Sequence, residues 1–148
     1  MKSKKKPSEP TVEGNREAKQ PEQAELTKKI ILIVDDVMVM RLMLRAKLEE
    51  GGFEVLEAED GEKALTILEK EPDIRLIITD VTMPVMDGLE FISNLRNSVQ
   101  YAAIPVIICT AKGEISVVRK AKQLGVQRFL VKPITKPALL AAIKQELI

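Results

Sequence analysis

The sequence contains no histidine and a single cysteine, and both shortages limit the chemistry that the chain can perform. Without an imidazole the chain cannot form a phosphohistidine, a Ser-His-Asp triad or a His-ligated metal site. Cys109 lies within an apolar run, which favours a small buried side chain over a reactive thiol. A lone cysteine also forms no disulfide framework and fits a reducing compartment. Any phosphohistidine must therefore come from another molecule, and any metal site must be lined by oxygen atoms.

Long apolar runs and an excess of one charge are missing as well. The longest aliphatic run, Ile30–Val34, is far shorter than the roughly 20 residues that a membrane-spanning helix needs. No apolar segment of the signal-peptide kind follows the N-terminal lysines. The 23 basic and 22 acidic residues nearly balance, which gives no reason to expect nucleic acid or an anionic membrane as a partner. We therefore expect a soluble, cytoplasmic protein without nucleic-acid or membrane partners.

Residues 1–27 differ in composition from the rest of the chain. They are rich in charged residues and proline and contain few apolar residues. Such a segment buries too little surface to offset its chain entropy, so we predict a disordered, charged tail. The run Lys4–Lys6 could be a weak docking patch, although a solvated tail is the favoured interpretation. Residues 28–148 are then one domain of ordinary size.

From Ile30 onward, short apolar runs alternate with amphipathic stretches. The predicted strands are Ile30–Val34, Phe53–Ala58, Leu76–Thr79, Pro105–Cys109 and Gln127–Val131. The predicted helices are Val37–Glu50, Gly61–Lys70, Leu89–Asn97, Glu114–Leu124 and Pro137–Ile148. Strict alternation with short connections predicts a parallel sheet with helices on both faces, a flavodoxin-like (βα)5 fold with strand order 2-1-3-4-5.

The ends of the predicted helices carry their own signals. Gly51-Gly52 would end the first helix, and Thr135 with Pro137 would start the last. The first helix has a stripe of side chains at helical spacing that should face the core. This stripe consists of Met40, Met43, Leu44, Lys47 and Leu48.

Acidic residues follow the two strands that this topology makes central neighbours. The third strand must end near Asp80, because Pro84 and Gly88 prevent its continuation, and Asp35-Asp36 follows the first strand. Three converging carboxylates repel one another, by about 4 kcal/mol per pair at 4 Å and an effective dielectric of 20. A cation must offset this cost, and carboxylate oxygens select Mg²⁺ or Mn²⁺. One solvated acid at a strand end is common, whereas this combination indicates a metal site.

A hydroxyl and an ammonium group are predicted at the same edge of the sheet. Thr110 follows the fourth strand and Lys132 follows the fifth. Each alone would be an ordinary structural hydroxyl or surface charge. Beside Asp80 they suit a phosphoryl group, which carries about two negative charges, on a carboxylate nucleophile. A lysine and a metal ion are the expected electrostatic stabilisers of that transfer.

These motifs together resemble the receiver domain of two-component response regulators, the CheY-like family, over residues 28–148. The matching motifs are Asp35-Asp36, Asp80 with Met83-Pro84 and Asp87-Gly88, Thr110-Ala111, and Lys132-Pro133. The resemblance implies phosphoryl transfer to Asp80 from a histidine kinase or histidine phosphotransfer protein. It implies Mg²⁺, or alternatively Mn²⁺, held by Asp36 and Asp80, by Asp35 through water and by the backbone carbonyl of Thr82. It also implies a cis Lys132-Pro133 peptide and an influence of Thr82 and Lys112 on dephosphorylation.

The resemblance further implies how a signal would leave the site. The loop bearing Thr110 would move toward the phosphoryl group, and Phe129 on the fifth strand would rotate inward, unless it is an ordinary half-buried residue. The altered surface would comprise the fourth helix, fifth strand and fifth helix, with Ile115, Val118, Lys122, Arg128 and Lys136. Off the buried stripe of the first helix, Val39 and Leu42 are candidates for docking the phosphodonor.

The favoured interpretation is a single-domain signalling protein that catalyses only its own phosphorylation and slow dephosphorylation. Several alternative functions remain. The chain ends as the fifth predicted helix completes, but it could be a receiver fragment of a larger hybrid kinase or effector. A Mg²⁺-dependent phosphohydrolase with an aspartyl nucleophile would normally carry a second acid at position 82, where Thr82 stands. A flavodoxin would need a phosphate-binding loop where Asp35-Asp36 lies, and an inert module would not need the complete motif set.

Overall fold

The computed structural model describes residues 29–111 and 115–147, with the backbone alone at Ile115. The predicted tail, residues 1–27, lies outside the described residues, as do Lys112, the predicted helix start at Glu114 and the predicted helix end at Ile148. In the described ranges no helix is long and apolar enough to cross a membrane.

Strands and helices alternate strictly in the described ranges, as the sequence predicts. The strands are β1 (Ile30–Val34), β2 (Glu54–Ala58), β3 (Ile74–Asp80), β4 (Val106–Thr110) and β5 (Arg128–Val131). The helices are α1 (Met38–Glu50), α2 (Gly61–Lys70), α3 (Gly88–Arg96), α4 (Ile115–Gln123) and α5 (Lys136–Leu147). The strands form one parallel sheet in the order β2-β1-β3-β4-β5. The predicted fold class and strand order are both confirmed.

Two strands differ from their predicted bounds at the ends that matter for the site. β3 is three residues longer than predicted, because Ile74 pairs with Ile30 at one end and Asp80 pairs with Cys109 at the other. β4 includes Thr110, which pairs with Val131. The polar residues at these ends are therefore part of the sheet and share its rigid backbone.

The sheet separates two apolar cores. One face packs against α2, α3 and α4, and its largest buried side chains include Leu68, Phe91 and Leu95. The other face packs against α1 and α5, whose Leu44, Leu48 and Ile143 are buried. The central strands are apolar on both faces, which explains why they read as continuous runs without alternation. Cys109 is buried in the second core, as predicted.

The prediction for the buried stripe of α1 is wrong at one position. Leu44 and Leu48 are buried and Met40 and Lys47 are half-buried, but Met43 is 46% exposed. Met43 instead lines an open groove of about 300 Å³ between α1 and the segment after β5. The buried stripe of α1 is therefore narrower than the spacing of its apolar residues predicts, because the segment after β5 does not cover the side of α1 that carries Met43.

Helix ends follow the predicted signals. The amide of Gly51 donates to the Leu48 carbonyl at 3.0 Å, and Gly52 has φ 93°, a conformation that glycine adopts without strain. At the start of α5, the Thr135 hydroxyl accepts from the Ala138 amide at 3.3 Å. Asp87 caps α3 in the same way, accepting from the Glu90 amide at 2.9 Å. Asp87, part of the motif after Asp80, thus has a structural role in starting α3.

Candidate functional site

Three carboxylates meet where β1 and β3 end. The parallel register pairs Val34 with Thr79, so the residues that follow them emerge side by side at one edge of the sheet. Asp35, Asp36 and Asp80 each offer an oxygen atom, and these atoms lie within 4.8 Å of one another. A group of oxygen ligands at this spacing, without sulfur or imidazole, suits a hard divalent cation such as Mg²⁺. The structure therefore brings together the three acids that the sequence singles out.

Both oxygens of the Asp80 carboxylate have donors. Oδ1 accepts from the Val81 amide at 2.7 Å, and Oδ2 accepts from the Lys132 ammonium at 3.0 Å. The side chain is 13% exposed. Asp80 is thus held in one orientation while remaining partly exposed, which a nucleophile for an external group requires.

Asp35 is the most buried member of the acidic group, at 2% exposure. Its Oδ1 accepts from the Val37 amide at 2.9 Å, and its Oδ2 lies 3.6 Å from the Lys132 ammonium. Burial raises the pKa of Asp35 above its ordinary value, although the Val37 amide and Lys132 oppose this rise and the charges of the two other acids add to it. The environment of Asp35 disfavours negative charge, so a bound cation would stabilise its ionised form.

Lys132 is the cation of the site in the described structure. Burial by itself would lower its pKa, but the hydrogen bond to Asp80 and the charges of Asp80 and Asp35 outweigh burial and raise it. Lys132 therefore keeps its positive charge at neutral pH. Its amide donates to the Thr110 carbonyl at 3.0 Å, and the peptide bond to Pro133 is cis. This backbone contact ties the residue after β5 to the last residue of β4.

The Thr110 side chain is buried at the end of β4, at 4% exposure. Its hydroxyl donates to the Ala111 carbonyl at 3.2 Å. A role for this hydroxyl at Asp80 would require it to turn away from that carbonyl. Thr82, the predicted carbonyl ligand, lies two residues after Asp80 at the same edge of the sheet and is exposed.

The loop after Asp80 folds back onto the end of β3. The Gly88 amide donates to the Val81 carbonyl at 2.7 Å, and the Gly61 amide donates to the Met86 carbonyl at 3.3 Å. Val85, at the tip of the loop, has φ 68°, which is rare for a β-branched residue, and is 72% exposed. The first bond joins the start of α3 to the residue that follows β3, and the second joins the loop to the start of α2.

An ionic network beside the acidic group was not predicted from the sequence. On α1, Arg41 donates to the Asp35 backbone carbonyl at 2.7 Å and to Glu57 at 3.0 Å. Arg45 also donates to Glu57, and to the Val55 carbonyl at 3.1 Å. The sequence contains one signal for this network, a glutamate in the otherwise apolar end of β2.

The residues proposed for signal output and docking lie in two places. Phe129 is half-buried and packs against the core formed with α2, α3 and α4. On the output face, Arg128 lies 3.1 Å from Glu146 and Lys136 lies 2.8 Å from Glu50.

An exposed apolar surface, here called the α1 patch, covers the start of α1. It consists of Val37, Met38, Val39, Leu42 and Met43, exposed by between 46% and 62%.

Comparison with known proteins identifies the class to which this fold and site belong. The family model of the response regulator receiver domain matches residues 31–144. A chemotaxis protein CheY homolog of Campylobacter jejuni is 38% identical over 110 residues, covering 74% of this chain and 85% of that protein. The chemotaxis protein CheY of Bacillus subtilis is 41% identical over 119 residues, covering 79% and 96%. The crystallised chemotaxis protein CheY4 of Vibrio cholerae superposes with a TM-score of 0.75 at 34% identity, covering 80% and 98%.

The chain therefore belongs to the response regulator receiver domain family and is of the CheY type. This confirms the resemblance drawn from the sequence motifs. Family membership implies phosphoacceptor signalling in a two-component system. The roles of the individual site residues stay predictions, which the geometry above supports.

Proposed function

We propose that the chain is the phosphoacceptor of a histidine–aspartate phosphorelay and that Asp80 receives the phosphoryl group. We expect the donor to be a phosphohistidine on a histidine kinase or histidine phosphotransfer protein, and it must belong to another protein because the chain contains no histidine of its own. The observation that carries this proposal is the position of Asp80. Its carboxylate is oriented by Val81 and Lys132, is partly exposed and lies among further acids that can hold a cation.

In the transfer, the P–N bond of the phosphohistidine breaks and a P–O bond to an Asp80 oxygen forms. The histidine nitrogen keeps the electron pair and takes up a proton. The product carries about two negative charges where Asp80 carried one. The Lys132 ammonium, 3.0 Å from Oδ2, supplies positive charge next to the group that forms.

The residues present fit Mg²⁺. Asp36 and Asp80 would hold it with their carboxylates, Asp35 through water and Thr82 with its backbone carbonyl. A bound Mg²⁺ supplies charge neutralisation for the transferring phosphoryl oxygens. Asp35 and Asp36 thereby offset the charge of the cation, and Lys132 remains to contact the phosphoryl group.

The signal would leave the site through Thr110 and Phe129. The Thr110 hydroxyl would turn from the Ala111 carbonyl to the phosphoryl group, and Phe129 would rotate inward from its half-buried position. The phosphoryl group favours this conformer through its contacts with Thr110 and Lys132, which is a population shift between two states. The face formed by α4, β5 and α5 would then present a changed surface to a downstream protein.

The α1 patch is the proposed docking surface for the phosphodonor. Its side chains begin at Val37, two residues after Asp35, and Met43 shares a groove with Lys132. An apolar surface of this extent next to the reactive group suits a partner that presents an apolar face around its phosphohistidine. Val39 and Leu42, predicted from the sequence, are both exposed within this patch.

Incubation with acetyl phosphate and Mg²⁺, followed by intact-mass measurement, tests the proposed function. We expect the mass of one phosphoryl group to be added in a step that depends on Mg²⁺ and then to be lost slowly. Asp80→Asn should abolish this addition, whereas Asp87→Asn, which alters the nearby cap of α3, should retain it. A labelled Asp80→Asn protein would contradict the assignment. Fast multiple turnover without a stable adduct would indicate a phosphohydrolase, and absence of labelling in the unaltered chain would indicate an inert module.

A further inference from the structure

Arg41 connects α1 to the backbone of the acidic site. Its Nη1 donates to the Asp35 carbonyl at 2.7 Å and its Nε donates to Glu57 Oε1 at 3.0 Å. The Arg41 side chain is 14% exposed and that of Glu57 is 22% exposed. A guanidinium that is largely buried and held by a carboxylate has lost most of its freedom to move, so the Asp35 carbonyl has a fixed donor.

The carbonyl that Arg41 holds belongs to the peptide plane between the two acidic residues. On its N-terminal side, the Asp35 amide donates to the Ala58 carbonyl at 3.1 Å. With the amide and the carbonyl of Asp35 both held, little freedom remains in the backbone that leads to Asp36. Rotation of that peptide plane would change the direction in which the Asp36 side chain leaves the backbone.

Asp36 depends on this backbone more than its neighbours do. The Asp35 carboxylate accepts from Val37, and the Asp80 carboxylate accepts from Val81 and Lys132. The Asp36 side chain is exposed, and within the described ranges it has no hydrogen bond of its own. The direction of its Cα–Cβ bond therefore depends on the peptide plane that Arg41 holds.

We propose that Arg41, oriented by Glu57, is a positioning residue that aims the Asp36 carboxylate at the divalent cation by fixing the Asp35–Asp36 peptide plane. This inference rests on the proposed function, which makes Asp36 a ligand of that cation. Residues that do not bind a metal themselves commonly orient the residues that do, and their loss typically weakens metal binding roughly 10- to 100-fold. We expect a loss of about this order for Arg41.

The sign of the effect separates positioning from electrostatics. Arg41 is positive and close to the acidic site, so its charge alone opposes the binding of a divalent cation. Replacement of Arg41 by glutamine would strengthen Mg²⁺ binding if charge were its only contribution. Positioning requires the opposite result, weaker Mg²⁺ binding in spite of the lost positive charge.

Arg45 provides a matched control. It lies one turn further along α1, donates to the same Glu57 and also holds a backbone carbonyl, that of Val55. It has no hydrogen bond to Asp35 among the described contacts. Arg45→Gln thus removes the same charge from the same network without releasing the Asp35 carbonyl.

The test is calorimetric titration of the full chain with Mg²⁺ in the absence of any phosphodonor. We expect Arg41→Gln to raise the dissociation constant about 10-fold and Arg45→Gln to change it less than about 2-fold. Arg41→Lys keeps the charge but lacks the fork that reaches both Glu57 and the carbonyl, so it should also weaken binding. Thermal unfolding without Mg²⁺ shows whether each variant folds. If Arg41→Gln does not fold, the Mg²⁺ affinity of Arg41→Lys tests the positioning role.

A second readout follows the acidic residues directly. In amide NMR spectra, the signals of Asp36 and Val37 should shift in Arg41→Gln and stay in place in Arg45→Gln. Unchanged or tighter Mg²⁺ binding by both Arg41 variants, with the unaltered chain still binding Mg²⁺ and being phosphorylated, would overturn the positioning role alone. Absence of Mg²⁺ binding by the unaltered chain would instead overturn the proposed function on which it rests.

Discussion

The α-carbon of Gly88 lies so close to the backbone of Asp80 that an added β-carbon would be 2.2 Å from the Asp80 carbonyl oxygen. The Gly88 amide also donates to the Val81 carbonyl, at 2.7 Å. The start of α3 is therefore packed directly onto the backbone that carries the proposed phosphoacceptor. A side chain at position 88 would push these two segments apart.

The first prediction concerns this contact. Gly88→Ala should lower the free energy of unfolding by about 3 kcal/mol, because rigid backbone rather than a flexible side chain must move. Gly51→Ala is the control, since its β-carbon would lie 3.1 Å from the end of the adjustable Leu140 side chain and no closer than 3.3 Å to backbone, at the Leu48 carbonyl oxygen. Chemical denaturation measures both changes. A loss for Gly88→Ala no larger than that for the control would contradict the prediction.

The second prediction concerns Val85 at the tip of the loop after Asp80. Val85 is the central residue of a strained γ-turn, since its φ is 68° and the Met86 amide donates to the Pro84 carbonyl at 2.7 Å. Such backbone strain costs about 1–3 kcal/mol, and asparagine occurs at positive φ more often than a β-branched residue does. Because Val85 is 72% exposed, its replacement removes little packing. We expect Val85→Asn to raise the free energy of unfolding by about 1 kcal/mol.

Val99→Asn is the matched control for Val85→Asn. Val99 is fully exposed, at 101%, and is not among the described residues with positive φ. Its replacement should change the free energy of unfolding by less than about 0.5 kcal/mol. Equal effects of the two substitutions would show that relief of backbone strain is not the cause.

The third prediction concerns the pH dependence of the Glu57 network. Burial alone would raise the pKa of Glu57, but the hydrogen bonds from Arg45 and Arg41 outweigh burial and lower it. A carboxyl group with a lowered pKa stabilises the folded state above its unfolded-state pKa, about 4.3, and this contribution is lost as the pH falls through the folded-state pKa. Glu57→Gln should therefore cost about 2 kcal/mol at neutral pH and less in acid.

Denaturation at pH 7 and at about pH 3 measures this difference, the lower value lying below the ordinary carboxyl pKa. Glu54→Gln is the control, because Glu54 lies on the same strand but is exposed. The control should leave the free energy of unfolding unchanged at both pH values. A loss of stability in Glu57→Gln that is larger in acid than at pH 7 would have the wrong sign for a carboxylate with a lowered pKa.

The fourth prediction separates cation binding from signal transmission. Lys132→Ala removes the ammonium that lies 3.0 Å from Asp80 and 3.6 Å from Asp35. Mg²⁺ binding should be retained, because a competing positive charge is lost. The adduct formed with acetyl phosphate should no longer shift the NMR signals of Phe129, because the contact between the phosphoryl group and Lys132 is missing.

Lys144→Ala, a change at an exposed lysine on α5, should leave the response of Phe129 intact. A normal Phe129 response in Lys132→Ala would contradict the proposed clamp. Loss of Mg²⁺ binding in the same variant would instead show that Lys132 is needed to form the site.

The topology and the acidic group were predictable because they depend on strong, local signals. β1, β3 and β4 each contain an unbroken apolar run that ends at a polar residue, so the positions of Asp35 and Asp80 follow from the strand order. The cap of α5 by Thr135 is equally local, since a hydroxyl followed by proline marks a helix start.

Other features depend on tertiary contacts that leave no periodic signal in the sequence. Met43 is exposed because the segment after β5 does not cover its side of α1. The helical spacing of apolar residues carries no information about that segment. The contact of Arg41 joins a side chain to a backbone carbonyl six residues away, and every residue has a carbonyl. Such a partner could not be chosen from residue types alone.

The buried position of Cys109 has a practical consequence for following this protein in solution. Burial raises the pKa of its thiol to about 12, so almost no thiolate is available to a maleimide or iodoacetamide reagent in the folded protein. A cysteine introduced at an exposed position such as Val99 could then carry a fluorophore without prior removal of the native one. Fluorescence from such a dye would report conformational changes in an otherwise unaltered chain.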